Sequence, residues 1–300
     1  MQIKKVNWKI EEEAKRYLGH DNLYYVLQGR LGNQLFGLSE AFRIYKKLSK
    51  KIVIDISEVI LNGFPIPTWT TIVEYDWAEI VHNSSYSIFK KNVKVINLGF
   101  CQLEEYSDSK FFQGFSVKYN DICESGLFKK GIFPFEVKKE YTNHTYSVIS
   151  FRYGDYIKNP HLGILSTKYY KNVFKRLKEL NIDDPLYLFS DDLKKARSEL
   201  NNFTTNLVYS QLPDSTDLEN LYIMSKGYTH IMANSTFSFW AAFFSNGQSF
   251  YPDPFYIGDR DFHRDMFWPD AEPVKYTRIP NLRYFMNRVK YKIHKFKLFK

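Results

Sequence analysis

Apolar and polar positions near the start of the chain follow a strand, helix, strand order. Leu23 to Leu27 is a short apolar run of the kind found in buried strands, and residues 35 to 48 carry apolar side chains at helical spacing. A second strand-like run, Lys51 to Ile56, follows. This order predicts a βαβ unit, which is preceded by a polar accessory helix predicted over Trp8 to Leu18.

The middle of the chain, from about residue 57 to 145, shows no clear period, so its topology is not readable from the sequence; one strand is predicted there, at Val93 to Leu98. From about residue 146 the order is regular again. The pattern predicts alternating elements: strand Ser147 to Phe151, helix Ser166 to Leu180, strand Leu186 to Phe189, a helix from Asp191 or Asp192, strand Asn206 to Tyr209, helix Leu218 to Ser225, strand Thr229 to Ala233, helix Ser235 to Phe244 and a last short strand Ser249 to Tyr251.

Alternating strands and helices are typical of parallel sheets with helices on both faces, so the predicted fold class is α/β. Two such halves predict two Rossmann-like lobes that face a cleft. We predict a lead over residues 1–22, a first lobe over residues 23–143, a second lobe over residues 144–265 and a tail over residues 266–300.

Composition narrows the classes of partner. The 300 residues are 44% hydrophobic and carry a formal net charge of +9, which permits a nucleotide, an anionic membrane surface or nucleic acid as partner. No zinc-binding spacing, RNA-binding aromatic motif or helix-turn-helix signature accompanies the charge, so we predict no nucleic-acid binding. Cys101 and Cys123 form no metal-ligand pair, which favours a reducing compartment.

The tail interleaves basic and apolar residues from Arg283 to Lys300. One interpretation is peripheral contact with an anionic membrane; the other is a final helix packed across the lobes with a solvated basic edge. The chain shows no secretion leader and no run of 18 apolar residues, so we expect a cytoplasmic protein.

Two segments at predicted strand ends carry glycine or arginine. Gly29 to Gln34 reads as a tight turn into a helix, whose first amide groups suit a polar or anionic ligand, although a plain strand-to-helix connection has the same pattern. In Ser150 to Tyr156, Arg152 can bind phosphate oxygens through two N–H groups, or simply pair with Asp155 on the surface.

Two further segments follow later strands. In Phe189 to Asp192, the acidic pair can accept hydrogen bonds from a nucleobase or ribose, or cap a helix. In Ala233 to Trp240, Ser235, Thr236 and free helix amides can hold a diphosphate. Phe237 fits a core position better than a stacking platform, although it could serve as both.

In this order the segments resemble the α-1,2-fucosyltransferases of glycosyltransferase family 11 and, more distantly, the protein O-fucosyltransferases. The resemblance runs from Tyr24 to Phe255. Its motifs are Gly29 to Phe36 (similar to G-x-L-G-N-Q-L/M-F), Gly99 to Gln102 (similar to G-Y-x-Q), Leu162 to Ser166 with Tyr169 and Tyr170, Ser190 to Asp192, and Asn234 to Ser238.

The chain departs from the family's H-x-R-R-x-D motif. Arg152 and Asp155 are kept, while Ser150 replaces the histidine and Tyr153 replaces the second arginine. Because a cation is missing from the motif, we hypothesise that Arg30 restores it.

The resemblance implies a GT-B fold with the acceptor on the first lobe and the donor on the second. It implies an inverting, metal-independent transfer of L-fucose from GDP-β-L-fucose to a galactose-type hydroxyl, through an α-1,2 linkage, in bacterial surface polysaccharide or lipopolysaccharide synthesis. The alternatives are a transferase for another GDP-sugar and a non-catalytic nucleotide-sugar or glycan-binding subunit. The expected partners are the GDP-sugar, an oligosaccharide or lipid-linked acceptor and the inner face of the inner membrane.

The same resemblance assigns roles to residues. Arg152 would neutralise the leaving diphosphate, and Asn33 would place donor or acceptor. The general base is not assigned: Asp155 would act as the base or orient Arg152, His161 and Glu40 are weaker candidates, and the departing phosphate could instead take the proton. The predicted catalytic residues are therefore Arg152, Asn33 and Asp155. The predicted donor-binding residues are Gly29, Arg30, Gly32, Ser190, Asp191, Asp192, Asn234, Ser235, Thr236 and Phe237; no cofactor or metal ligand is predicted.

Overall fold

Two parallel six-stranded sheets organise the protein, as a computed structural model shows. The structure describes residues 3–64, 69–72, 76–93, 95–98, 110–137, 145–157, 163–204, 207–209, 215–255 and 265–276. The predicted tail beyond Tyr276 and the Gly99 to Gln102 motif lie outside these residues.

The first sheet has the strand order β1-β4-β3-β2-β6-β5. Its strands are β1 (Lys4–Val6), β2 (Asn22–Val26), β3 (Lys51–Asp55), β4 (Ala78–Asn83), β5 (Ile96–Asn97) and β6 (Phe111–Gln113). The helices of this half are α1 (Glu11–Leu18), α2 (Leu31–Leu48), α3 (Ser57–Leu61), α4 (Trp69–Ile72), α5 (Tyr86–Asn92) and α6 (Tyr119–Ser125). The order reverses beside β2, so the turn after β2 lies at a switch point, where such sheets bind ligands.

The second sheet has the order β12-β11-β10-β7-β8-β9. Its strands are β7 (Ser147–Phe151), β8 (Leu186–Ser190), β9 (Leu207–Tyr209), β10 (Thr229–Ile231), β11 (Gln248–Asp253) and β12 (Glu272–Lys275). Its helices are α7 (Thr167–Glu179), α8 (Leu193–Leu200), α9 (Asp217–Ser225) and α10 (Thr236–Phe243). Counted from β7, this is the strand order of dinucleotide-binding sheets, with its switch point between β7 and β10.

The predicted α/β architecture of two Rossmann-like lobes facing a cleft, the GT-B type, is confirmed. Strand β7 coincides with the predicted strand, and the elements of the second half agree to within a few residues. The expectation that Ser249 to Tyr251 is the last strand is wrong, because β12 follows it and pairs with β11. That strand is hard to recognise: it is four residues long and contains Pro273, which an edge strand tolerates.

The lead and the middle also contribute to the first sheet. Strand β1, which precedes the expected helix α1 in the sequence, pairs with β4 and forms one edge of the sheet. Strand β5 keeps only two of the six residues predicted from Val93 to Leu98. None of the described helices is both long and apolar enough to cross a bilayer.

Helix α10 joins the two lobes. Six of its eight residues are buried, and one hydrophobic cluster runs from β2 and α2 through α10. The indole N–H of Trp240 donates to the Gly32 carbonyl at 2.9 Å, and the Thr236 hydroxyl donates to Asn33 Oδ1 at 2.8 Å. The start of the first-lobe helix α2 is thereby fixed against the start of α10.

The absence of a side chain at Gly32 permits this approach. A Cβ there would lie 2.6 Å from the Phe237 amide nitrogen and 2.6 Å from Thr236 Oγ1. Backbone atoms of a buried helix cannot move aside as the end of a flexible side chain can. Glycine is therefore the residue that this helix contact requires.

We expect Gly32→Ala to lower the free energy of unfolding by about 1–3 kcal/mol, because overpacking separates α2 from α10. Gly37→Ala is the matched control on the same helix: its Cβ would meet the end of the Leu27 side chain at 2.6 Å and the Tyr25 side chain at an ordinary 3.6 Å, with no backbone atom among these neighbours, and alanine favours the helix. Denaturant unfolding of both variants measures the difference. Equal losses at the two positions would contradict this account.

Candidate active site

A cleft of about 390 Å³ lies where the carboxyl ends of the two sheets face each other. This size is typical of small-molecule sites. Its walls come from the turn after β2, the ends of β7, β8 and β10, one face of α9 and the first turn of α10. The predicted site residues that line it are Gly29, Arg30, Gly32, Asn33, Arg152, Ser190, Asp191, Ser235, Thr236 and Phe237.

Arg152 follows β7 directly and is held on two sides. Its Nη1 lies 3.0 Å from Asp191 Oδ2, and its guanidinium lies 5.1 Å from the centre of the Tyr156 ring. The strand end beneath it is fixed by Tyr170, whose hydroxyl donates to the Ser150 carbonyl at 3.0 Å. Burial raises the pKa of Tyr170 well above its usual value, so this donor keeps its proton.

The acidic pair after β8 divides into two roles. Asp191 faces the cleft, whereas Asp192 caps α8, with Oδ1 accepting from the Lys195 amide at 2.9 Å. The Ser190 hydroxyl accepts from the Asp192 amide at 3.0 Å while lining the cleft. Asp192, predicted to bind the donor, is not among the cleft-lining residues; it has the capping role that the sequence left open.

The start of α10 presents hydroxyl and amide groups to the cleft. Ser235 is the N-cap, and its Oγ accepts from the Phe237 amide at 3.3 Å. Asn234, predicted to bind the donor, is instead buried beneath this turn. Its Nδ2 donates to the Gly163 carbonyl at 3.0 Å and its own carbonyl accepts from the Tyr156 hydroxyl at 3.1 Å, so it supports the wall from behind.

The glycine turn forms the first-lobe wall of the cleft, next to the start of α10. Gly29 has φ of +73°, and a Cβ there would lie 2.5 Å from Asn33 Nδ2. Its carbonyl accepts from Gln34 Nε2 at 2.9 Å. The exposed Arg30 precedes α2, and its guanidinium carbon lies 5.5 Å from the Phe64 ring centre at the cleft. The turn therefore adds a cation and a second helix N-terminus to the site.

Several residues take positions that the sequence did not indicate. Asp217, Asn220 and Met224 of α9 line the cleft. They were not predicted, although α9 follows β9 and ligands bind outside the carboxyl ends of such strands. Glu40, a weaker base candidate, is buried against Arg43 at 2.7 Å, outside the cleft lining.

The structure describes the other base candidates, Asp155 and His161, only in part or not at all. Asp155 lies in the 3₁₀ turn Gly154–Ile157 beside Arg152, while its side chain and all of His161 fall outside the described part of the chain. The described residues contain no group of three or more His, Cys, Asp and Glu side chains arranged to hold a metal ion.

The profile of glycosyl transferase family 11 matches residues 2–270. The chain belongs to glycosyl transferase family 11. The family 11 assignment makes it a glycosyltransferase, as the sequence motifs predicted.

Two Escherichia coli relatives are similar to this family 11 chain. The O-antigen biosynthesis glycosyltransferase WbnK is 24% identical over 73% of this chain and 89% of its own length. An alpha-1,2-colitosyltransferase is 29% identical over 36% of this chain and 40% of its own length.

Solved structures of distant similarity include the fucosyltransferase NodZ from Bradyrhizobium, with a TM-score of 0.46 and 8% identity over 75% of this chain and 92% of NodZ. A NodZ alpha-1,6-fucosyltransferase co-crystallised with GDP has a TM-score of 0.46 and 9% identity over 75% of this chain and 93% of that chain.

Tyr153 of this family 11 chain is not among the residues that line the cleft. The Tyr153 ring stacks on Phe151 with ring centres 6.1 Å apart, and the ammonium of Lys195 lies 5.7 Å from its centre. The tyrosine that replaces the family's second arginine is therefore packed between β7 and α8. Arg30 lies at the cleft. That it replaces the missing motif arginine stays a prediction.

We expect Asp192→Ala to cost about 1 kcal/mol of stability and Asp192→Asn much less, because asparagine also accepts a cap hydrogen bond. Thermal unfolding of the two variants beside the parent measures this. An equal loss in both would show that the carboxylate charge acts elsewhere.

Proposed function

We propose that this glycosyltransferase transfers L-fucose from GDP-β-L-fucose to a galactose-type hydroxyl through an α-1,2 linkage, with inversion, during O-antigen or lipopolysaccharide synthesis. The observation that carries the proposal is the cleft itself, which is lined together by Arg152, the first turn of α10 and the glycine turn. The printed names of the relatives support the substrate class: one concerns O-antigen biosynthesis and the other an α-1,2 transfer.

The chemistry of the proposed reaction suits these groups. Breaking the anomeric C–O bond leaves positive charge on the sugar and negative charge on the departing β-phosphate. Arg152, the Ser235 hydroxyl and the α10 amides would stabilise that negative charge, while Thr236, whose hydroxyl donates to Asn33, would line the same wall. We propose that these groups suffice without a metal ion.

The acceptor hydroxyl would attack the face opposite the departing diphosphate, and its proton would pass to a base or to the leaving phosphate. Asn33 is proposed to place the reactants, because its Oδ1 is already fixed by Thr236 of the other lobe. Asp155 is proposed to orient the Arg152 loop or to act as the base, since it lies three residues after Arg152 in the 3₁₀ turn.

A second candidate is transfer of another sugar from GDP. The similarity to an alpha-1,2-colitosyltransferase favours it, since the groups that contact a nucleotide diphosphate do not distinguish the hexose. Binding of a nucleotide sugar or glycan without catalysis is the remaining alternative from the sequence.

We expect the parent to form a glycoside with GDP-fucose faster than with GDP-mannose or other GDP-sugars, as measured by product mass spectrometry. Arg152→Ala should reduce turnover by about 10²-fold or more, since the developing phosphate charge loses its cation. Arg16→Ala, on the exposed face of α1, is the control and should match the parent. GDP binding with no product on any acceptor would instead favour the non-catalytic alternative.

We further propose peripheral contact with an anionic membrane through α7 and the tail. Lys168, Lys171, Lys175 and Lys178 are all exposed on α7. The described chain reaches Tyr276 beside this helix, because Asn172 Nδ2 donates to the Lys275 carbonyl at 2.8 Å. The basic and aromatic residues 277–300 continue from that point.

Truncation after Tyr276, or the change of all four α7 lysines to glutamine, should reduce binding to vesicles containing phosphatidylglycerol, because each lysine near such a surface contributes about 1 kcal/mol. Co-sedimentation measures the bound fraction, and neutral phosphatidylcholine vesicles are the control. Unchanged sedimentation of both folded variants would reject the membrane contact.

A further inference from the structure

The carboxylate of Asp191 is committed to the arginine segment. Its Oδ2 lies 3.0 Å from Arg152 Nη1, and its Oδ1 accepts from the Tyr153 amide at 2.8 Å. The side chains of Asp191 and Arg152 are both about 19% exposed, so solvent screens the pair only partly. One carboxylate thus fixes both the guanidinium and the backbone that carries it.

Strand register creates this pairing. Strands β7 and β8 are parallel, and Phe151 is the register partner of Ser190. The next residue on each strand is Arg152 and Asp191 respectively, so the two side chains leave neighbouring strands at the same level. The pairing of β7 with β8 therefore brings Arg152 and Asp191 together. Asp192, one residue later, is the N-cap of α8.

The space for the carboxylate is provided by Gly154. A Cβ at that position would lie 2.3 Å from Asp191 Oδ2 and 3.1 Å from its Cγ. Any larger residue would displace the carboxylate from its place beside Arg152. This contact is a second, independent sign that the loop is built around Asp191.

Resting on the proposed function, we propose that Asp191 is a positioning residue, which holds Arg152 in the orientation that meets the leaving diphosphate. It does not read the guanosine, the role predicted from the sequence. A guanidinium has five N–H groups, so the one at Asp191 leaves others for phosphate oxygens. Contacts to the nucleoside then fall to Asp217 and Asn220, which line the same cleft from α9.

The two roles differ in kinetics. A misplaced catalytic cation costs about 10²-fold in kcat, whereas a lost ground-state contact raises KM and leaves kcat unchanged. Asp191→Asn should therefore lower kcat by about 10²-fold with the KM for the GDP-sugar changed less than about 3-fold. Asp217→Ala should do the reverse. In an Arg152→Ala background, Asp191→Asn should cause no further loss, because the residue it positions is gone.

Gly154→Ala is the second variant, and it leaves the Asp191 charge in place while displacing the carboxylate. It should reproduce the loss of kcat. Glu179→Gln, which removes a carboxylate 3.3 Å from Arg176 on α7, is the matched control and should leave the kinetics unchanged. A raised KM with normal kcat in Asp191→Asn, or parental kinetics in both variants, would overturn the proposal.

A measurement without turnover separates this inference from the proposed function. Side-chain ¹⁵N relaxation of Arg152, assigned with Arg152→Lys, should show a rigid guanidinium in the parent and an order parameter below about 0.6 in Asp191→Asn and Gly154→Ala. If the parent turns over no GDP-sugar, the proposed function fails while the relaxation data still decide the role of Asp191. An Arg152 side chain equally rigid in parent and variants would overturn it.

Discussion

The contact between the first turns of α2 and α10 is the constraint on which the site depends. It brings together two helices from different lobes, with the Gly32 carbonyl accepting from Trp240 and no side chain at Gly32 to keep them apart. Both helices begin at the carboxyl ends of central strands, so both N-termini face one cleft. Helix N-termini carry partial positive charge, and two of them beside Arg30 and Arg152 favour an anionic ligand between the lobes.

The charge of the cleft is balanced by its own carboxylates. Asp191 accepts from the Arg152 segment, and Asp217 lies on the wall formed by α9. The groups proposed to bind the anion therefore have a fixed geometry in the free protein, which is the condition under which electrostatic stabilisation is most effective. In the proposed function, a diphosphate bound between the lobes would interact with the cations and the helix amides together.

The second lobe could be predicted well because α7 and α8 are amphipathic, α10 is a mostly apolar run and its strands are apolar between turns. Its site segments could be located for the same reason, since they follow strand ends. Strand β12 could not be recognised, because Glu272 and Pro273 give it no apolar run. The different roles of Asp191 and Asp192 could not be predicted either, because the sequence does not distinguish two adjacent acidic residues. Only the β7–β8 register places Asp191 beside Arg152.

Tyr153 shows the same limit of sequence reasoning: the motif assigned its position to the site, and the structure does not. Aligned with a family motif, it reads as a cation lost from the site, yet its ring is stacked on Phe151 between a strand and a helix. Which side of a strand end a residue takes depends on the turn that follows. Here the amide of Tyr153 donates to Asp191, and this hydrogen bond fixes that turn.

Helix α10, which packs against the first lobe, also limits how far the cleft can open. Separating the lobes would expose Phe36, Phe239 and Trp240, which are fully buried and in mutual ring contact. At about 2–3 kcal/mol for each large apolar side chain, the cost approaches the whole stability of a typical domain, about 5–15 kcal/mol. Opening of the lobes by this route would therefore compete with unfolding, and the two walls keep their spacing. Discrimination among sugars must accordingly come from the side chains that line a preformed cleft.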